Sequence, residues 1–553
     1  MDYGYDLGGY SRAVTTGAPE AQLWFDRGLN WTFGFNHAEA VACFRKALAA
    51  DPGCAMAHWG IAYALGPNYN MPWARYDAAG RAEALRLAHA AAQAALALAG
   101  NVTAPERALI EALAARYPQA EPLGDMHVWD KAFADAMRAA QHAHPRDPDI
   151  LAFTAEAIMD LTPWQMWDLR SGQPAKGAGT VEVRAMLEGA MRDLPGTMAH
   201  PGILHLYVHL MEMSPFPEKA FKAADVLRTL VPDAGHLVHM PTHIDILCGN
   251  YHDALHWNRA AIVADRKYLD REGVMNFYTG YRVHDYHFAV YGAMFLGQYG
   301  PALAAAEELI ATMPEAFLRI PSPTMADFFE SYLAVKQHVY VRFGKWEEII
   351  AQDLPDDPVL YANLTAMIHY AKGVAHAALG QVDEALAEQR LFREARARVP
   401  ETRLLHNNRC QDLFAIAEEM LSGEIAYRRG DYDAAFAHLR ASVAADDNLP
   451  YDEPWGWMQP TRHALGALLL EQGRVEEAEA VYREDLGLGG QLTRAQIHPD
   501  NIWALRGLMD CLTARGAADT AEGCMLRQRL DIAVARADLP VDVSCFCARG
   551  AGS

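Results

Sequence analysis

Long apolar runs are missing from this 553-residue chain. No stretch reaches the ~20 residues that crossing a bilayer takes, so no membrane partner is expected. The opening MDYGYDLGGYSRAVTT has no basic stretch followed by an apolar one, and no signal peptide is read there. Cysteine is scarce: eight residues, scattered, too few for a disulfide framework. Basic charge is short as well, 48 Lys and Arg against 70 Asp and Glu, for a net −22. So acidic a surface repels phosphate backbones, which excludes nucleic-acid binding as the main role. A sustained alternation of apolar and polar residues is absent, so no large sheet is expected. A Gly-rich phosphate loop, a G-x-S-x-G elbow and an H-E-x-x-H pair are also missing. Nucleotide-dependent chemistry, serine hydrolysis and the common zinc-protease mechanism therefore have no support. What is present is a soluble, acidic chain, expected to be cytoplasmic. Half of it (51%) is apolar, enough for a large core, and it carries 23 histidines.

Residues 24–52 contain Trp24, Gly28, Trp31, Ala40, Phe44, Ala47 and Pro52 at the spacing of a tetratricopeptide repeat (TPR). Small residues let two antiparallel helices approach, aromatics fill the gaps between them, and proline ends the second helix. Looser units follow, each with a turn glycine and an alanine five residues on: Gly249/Ala254, Gly297/Ala302, Gly380/Ala385, Gly430/Ala435 and Gly473/Ala478. Leu439 and Tyr482 take the large second-helix slot in the last two. Alanine-rich stretches such as RAEALRLAHAAAQAALALA add helical periodicity. The expected fold is all-α, a TPR-like α-solenoid: a right-handed superhelix of helix hairpins with a concave central groove. Loops rich in Pro, Gly and Trp are expected around 66–76, 170–180, 312–325, 447–460 and 487–500. The expected organisation is an N-terminal extension (1–20), N-terminal repeats (21–120), a central histidine-rich region (121–310), C-terminal repeats (311–540) and a Cys-containing tail (541–553), with no linker between independent domains.

The centre carries the chemistry. It reads HPGILHLYVHLME at 200–212, HLVHMPTH at 236–243 and HDYH at 284–287. On helices, His205 and His209 share a face, as do His236, His239 and His243, and so do His284 and His287. Counting back from Ala220, Ala254 and Ala302 places them at the second, fifth and ninth positions of successive first helices. In TPR proteins these positions line the groove. Seven of nine such slots hold histidine. Side chains one turn apart can close on one ion, and seven imidazoles exceed the needs of a single tetrahedral site. A pair of ions with three imidazoles each is the natural partition.

No cysteine lies on the stripe apart from Cys248 in a following turn, which disfavours structural zinc and blue copper; the shortage of glutamates disfavours diiron carboxylate chemistry. All-imidazole ligation has the ligand chemistry of type 3 binuclear copper, and copper tops the affinity order at nitrogen sites. The leading expectation is thus a copper-dependent oxidase or oxygenase, its ions expected as a pair, that takes dioxygen and a small organic substrate. Glu212 and Asp285 are the candidate catalytic carboxylates, and Glu156, Trp164 and Tyr207 the candidate substrate contacts. Two alternatives stay open: a mononuclear zinc or iron enzyme, in which Glu212 completes the site or acts as base, and a TPR scaffold binding a peptide or protein in the groove. Glu212 also reads as an ordinary helix-end glutamate, Trp164 as packing between repeats, and Met240 as packing. Cys545 and Cys547 could hold a soft ion if the tail reaches the groove, or lie inert in a frayed end. His338, His463 and the HNN at 406–408 stay unassigned, though His338 falls on the next groove slot. The loop YDEPWGW (451–457) could close over the groove or cap a helix.

FNHAEAVACFRKAL, MAHWGIAYALGPNYN, ERALIEALAARYP, AEAIMDLTPWQMW, HPGILHLYVHLMEMSP, GHLVHMPTHI, VRFGKWEEII, YDEPWGWMQPTRHALGALLL and NIWALRGL run nearly end to end. With them the chain resembles large bacterial TPR-containing proteins with a histidine-rich centre. The resemblance implies the repeat fold and the importance of the histidine motifs; copper is not part of it. That family's pattern has His-Asn where this chain has His284-Asp285, which sets Asp285 and His287 apart.

Overall fold

A computed structural model describes residues 3–548. The protein is all-α and built from TPR-like helix hairpins. Among the described residues, the strands are two two-residue ribbons, Trp167–Asp168 with Gln173–Pro174 and Leu404–Leu405 with Asn408–Arg409. No helix among the described residues is long and apolar enough to cross a membrane. The chain divides into two compact units, Met1–Ile244 with Ala260–Gly273, and Asp245–Arg259 with Val274–Ser553.

The first unit opens with the hairpin of Pro19–Phe33 and His37–Ala50. Asn36 caps the second helix by accepting from the Glu39 N–H, and Asp147 caps Pro148–Met159 in the same way. The Phe44 ring explains the small residues of the repeat. A Cβ on Gly28 would lie 2.6 Å from that ring, and so would one on Gly60 of the following helix Ala55–Leu65. One aromatic is therefore wedged between the glycines of two successive hairpins.

The second unit repeats the device. The Tyr482 ring sits where Cβ atoms on Gly466 and Gly507 would come within 2.5 and 2.2 Å, and Leu439 closes on Gly423. Its hairpins include Thr279–Phe295 with Tyr299–Ala311, Ala362–Ala378 with Val382–Arg396, Cys410–Arg428 with Tyr432–Asp447, and Arg462–Glu471 with Val475–Asp485. The expected turn glycines Gly249, Gly297, Gly380, Gly430 and Gly473 all have φ between 70° and 82°. This left-handed region is where a helix C-terminus turns back, and a side chain there costs energy.

Candidate metal centre

Three helices of the first unit place five histidines. Pro201 starts Pro201–Glu212, and His200 caps it, its Nδ1 accepting from the Ile203 N–H while Nε2 faces Asp149 at 3.2 Å. Both nitrogens of His200 are thereby used in holding the helix. His205 and His209 follow on the inner face. His236 and His239 lie on the short helix Gly235–His239, which Pro241 interrupts before Pro241–Leu247 carries His243. Gly235 is required there, since a Cβ would fall 2.0 Å from the Asp265 carboxylate.

The rings form one contiguous cluster. Centroids are 4.7 Å apart for His205–His209, 4.9 Å for His205–His236, 5.9 Å for His236–His239 and 4.8 Å for His239–His243. Ligand nitrogens of His205, His209 and His236 all lie within 4.8 Å of one another. These imidazoles, expected along an open groove, are instead buried: none of the five is more than 6% exposed.

The outer nitrogens fix the tautomers. Gly202 lets the Phe33 ring close on its helix, since a Cβ would meet that ring at 2.5 Å. The Phe33 carbonyl, at the end of Pro19–Phe33 where helical partners run out, accepts from His205 Nδ1–H at 2.7 Å. The Glu212 carboxylate accepts from His209 Nδ1–H at 3.1 Å through one oxygen, and its other oxygen lies 3.2 Å from His243 Nδ1. A carbonyl or carboxylate only accepts, so the lone pairs of His205 and His209 sit on Nε2. His205 Nε2 faces His236 Nε2 at 3.1 Å, and His243 Nε2 faces His239 Nε2 at 2.8 Å. The Nε2 of His209 is buried and has no hydrogen-bond partner among the described residues.

Burial first, and the neighbouring imidazoles second, push His209 and His236 well below the ordinary histidine value. Burial likewise takes His205 down to about 3, against the pull of the Phe33 carbonyl. His205, His209 and His236 are thereby neutral at pH 7, the state in which imidazole binds metal.

Aromatic rings wall it. Phe35 lies 4.5 Å from His205, 6.0 Å from His209 and 5.5 Å from His236. Tyr69 lies 4.9 Å from His209, and Trp164 lies 5.5 Å beyond Tyr69. The Trp164 N–H donates to the Tyr69 hydroxyl at 3.0 Å, and Arg75 covers the outer face of the half-buried indole. Phe35 and Trp164 have φ of 56° and 52°, a region costly for bulky side chains.

The other candidates sort by place. Glu212 is an acceptor for His209 and lies 3.2 Å from His243 Nδ1. Glu156 is buried and takes the Tyr63 hydroxyl at 2.7 Å, beside Asp160, which Arg116 binds at 3.0 Å. Tyr207 is turned away from the imidazoles, donating to Glu188 at 3.0 Å; two residues along a helix reverse a side chain's direction.

His284, Asp285 and His287 belong to the second unit, on Thr279–Phe295. Within that unit His284 stacks on His406 at 5.4 Å, and His287 Nε2 faces Met458 Sδ at 3.1 Å. Asp285 is fully buried on another face of the helix. His406 has φ 49° and binds Asp452, which also accepts from Asn408 at 2.7 Å. Burial takes His338 to about 4, and its ring packs on Trp457 at 4.8 Å.

Sequence reasoning left His406 and Met458 out of the site, and no periodic signal marks them, since both lie in irregular segments. It also missed Phe35, for which a signal existed. Phe35 and Asn36 donate to Thr32 and Trp31 in the pattern by which Gly430 and Asp431 donate to Tyr427 and Ala426. Phe35 thus occupies the turn slot that later repeats fill with glycine.

No protein-family model matches this chain, and no curated protein sequence does. Among solved structures, the chain is similar to one described as "Structure of Naa15/Naa10 bound to HypK-THB", at 13% identity and a TM-score of 0.22, over 93% of this chain and 70% of that one.

Proposed function

We propose that this protein holds transition-metal ions on the imidazoles of its first unit, copper first among them, and uses them to oxidise a small organic substrate with dioxygen. One observation carries the reading: two buried imidazoles, His205 and His209, have Nδ1–H anchored on the Phe33 carbonyl and the Glu212 carboxylate, which turns their Nε2 lone pairs inward. A carboxylate or carbonyl behind an imidazole is the usual support of a metal ligand. His205, His209 and His236 form one ligand set, and His239 with His243 a second position. The absence of thiolates from both favours copper over structural zinc; mononuclear zinc or iron is the alternative at the same residues.

A bound copper ion supplies one-electron chemistry. The chain's own residues keep the imidazoles neutral, oriented and away from water, and Phe35, Tyr69 and Trp164 give the substrate an aromatic approach. A scaffold that binds a peptide or protein partner is the other class. Burial to 6% exposure or less leaves almost no imidazole surface for such a partner. With this reading goes membership of the bacterial TPR proteins with a histidine-rich centre that the motifs resemble.

The test is metal content by elemental analysis of untagged protein reconstituted with copper, iron and zinc in parallel, followed by oxygen uptake with candidate substrates. Copper should be retained, and His205→Ala with His209→Ala should remove one part, His239→Ala with His243→Ala another, while helical content persists. Zinc or iron retained in place of copper moves the reaction to the alternative. No tight metal of any kind refutes the proposal.

A further inference from the structure

The second unit contains a sulfur pair that the metal reading does not use. Cys545 and Cys547 are joined as a disulfide, the only one among the described residues. Their segment is docked, not frayed. Arg342 donates to the Ser544 carbonyl at 2.8 Å, Arg428 to the Cys547 carbonyl, and Tyr482 meets the Ser544 hydroxyl. The two sulfurs are unequal: Cys547 is 2% exposed, whereas Cys545 is half-buried and its Sγ accepts from the Cys547 N–H at 3.3 Å. An N–H donor stabilises a thiolate.

Both cysteines line a cavity of ≈ 30 Å³, room for about one water, together with Arg342, Tyr370, Glu424 and His463. Glu424 is fully buried on Cys410–Arg428, and neither of its oxygens has a hydrogen-bond partner among the described residues. The charges around it are Arg428 at 4.0 Å, Glu471, and across the cavity Arg342, whose Nη1 is bound to His463 Nδ1 at 2.8 Å. Burial pushes Glu424 up to about 7, Arg428 pulling it down and Glu471 adding to the rise. A carboxyl poised there carries protons at neutral pH.

We propose that Cys545–Cys547 is a redox-active pair that oxidises a dithiol, with Glu424 as its proton carrier. A substrate thiolate attacks the more exposed Cys545 sulfur; the Cys545–Cys547 bond breaks, and the Cys547 thiolate takes the Glu424 proton by way of the cavity. The second substrate thiol, giving its proton to the Glu424 carboxylate, attacks the substrate sulfur of the mixed disulfide and expels Cys545 as the thiolate held by the Cys547 N–H. That thiolate takes up the remaining proton. Two electrons pass from the dithiol to the pair, leaving a substrate disulfide and two cysteine thiols. The buried thiols elsewhere are poor nucleophiles: burial pushes Cys43 and Cys511 up to about 12.

The experiment follows opening of the pair in the folded full chain by dithiothreitol and, in a second arm, by a reduced protein dithiol, with alkylation and mass spectrometry as readout. Opening without unfolding is expected, Cys545 alkylating before Cys547. Glu424→Gln should slow opening about tenfold at neutral pH, the low end of general-acid effects, and flatten its pH dependence. Cys547→Ser, in which Cys545 is a free thiol, should form a mixed disulfide on Cys545 when given the oxidised (disulfide) form of the protein dithiol, one substrate sulfur leaving as a thiol. A pair that opens only on unfolding, a Glu424→Gln protein that opens at the parent rate, or no adduct in Cys547→Ser would each overturn the proposal. Reaction in the dithiothreitol arm alone assigns a small dithiol; reaction in both arms assigns a protein one.

Discussion

Phe35 offers a test in which the sign of the effect, not its size alone, decides. Its φ of 56° places it in the left-handed region, which costs a residue bearing a Cβ about 1–2 kcal/mol. Phe35→Gly and Phe35→Ala both delete a ring that is 4% exposed, so both lose its packing, about 3–5 kcal/mol if the space does not collapse. The two variants differ in the Cβ. In a helix interior alanine is the more stable by about 1 kcal/mol. At position 35 the order should reverse, with glycine more stable by about 1–2 kcal/mol, a factor of roughly 5–30 in the unfolding equilibrium. Urea denaturation read by hydrogen exchange around the first hairpin gives that difference for the first unit alone. Alanine equal to or more stable than glycine would refute the claim of strain. Phe35→Leu completes the series, keeping the Cβ and an apolar side chain while removing the ring from three imidazoles. Metal affinity should fall in all three variants, so the most stable of the ring deletions, Phe35→Gly, should still bind metal poorly.

Glu212→Gln removes the negative charge that His209 donates to and His243 faces, and puts an amide NH2 against one of the two imidazoles. Copper affinity should drop about 10–100-fold, as for other groups that orient ligands, read by competition with a chromophoric chelator; unchanged affinity would refute the anchoring role. Asp149 would be raised by burial alone, but the His200 hydrogen bond and charge, together with Arg12, hold it at about 2 against an ordinary 3.8. Its contribution, about 2 kcal/mol, is full above pH 3.8 and lost as pH falls through 2, and an acid titration should show that extra loss in the parent and not in Asp149→Asn. Glu156 has the opposite sign: burial raises it above 4.5 against the pull of Tyr63 and Arg116. Stability is lost as pH rises from 4.5 towards neutrality, so Glu156→Gln should gain on the parent at pH 8 but not at pH 4 in thermal melts. Gly466→Ala sets a Cβ 2.5 Å from the Tyr482 ring, and overpacking of this kind should cost about 1–3 kcal/mol of second-unit stability in urea.

The repeats were legible because their rule is local. Phe44 needs glycine beside it in its own hairpin and in the next, and the 34-residue spacing of small and large residues states that need directly. The five first-unit imidazoles were legible for a similar reason, since i, i+3 and i, i+4 spacing puts side chains on one face of a helix. The acceptors behind them were not. The Phe33 carbonyl lies 172 residues from His205 in sequence, and no side-chain pattern announces a backbone oxygen. Tyr207, between two inward histidines, faces the other way and donates to Glu188, as a two-residue step along a helix dictates. His284 and His287 fit the same register as the other five, yet their neighbours His406 and Met458 sit in irregular backbone, where periodicity carries no information.

Among the described residues, four without glycine's freedom have positive φ: Phe35, Trp164, His406 and Asp500. The first two wall the five-imidazole cluster, the third stacks on His284, and the fourth is bound to Arg529. A glycine at position 35 would meet the demands of the turn, as it does in five other hairpins. Phe35 is therefore explained by what its ring touches and not by what its backbone needs. Strain of this kind persists where surrounding packing outweighs it, and the packing here consists of neutral imidazoles with fixed tautomers. The same ring that strains the turn excludes water from His205, His209 and His236. Water exclusion keeps these histidines uncharged at neutral pH, and uncharged imidazole is what a metal ion requires.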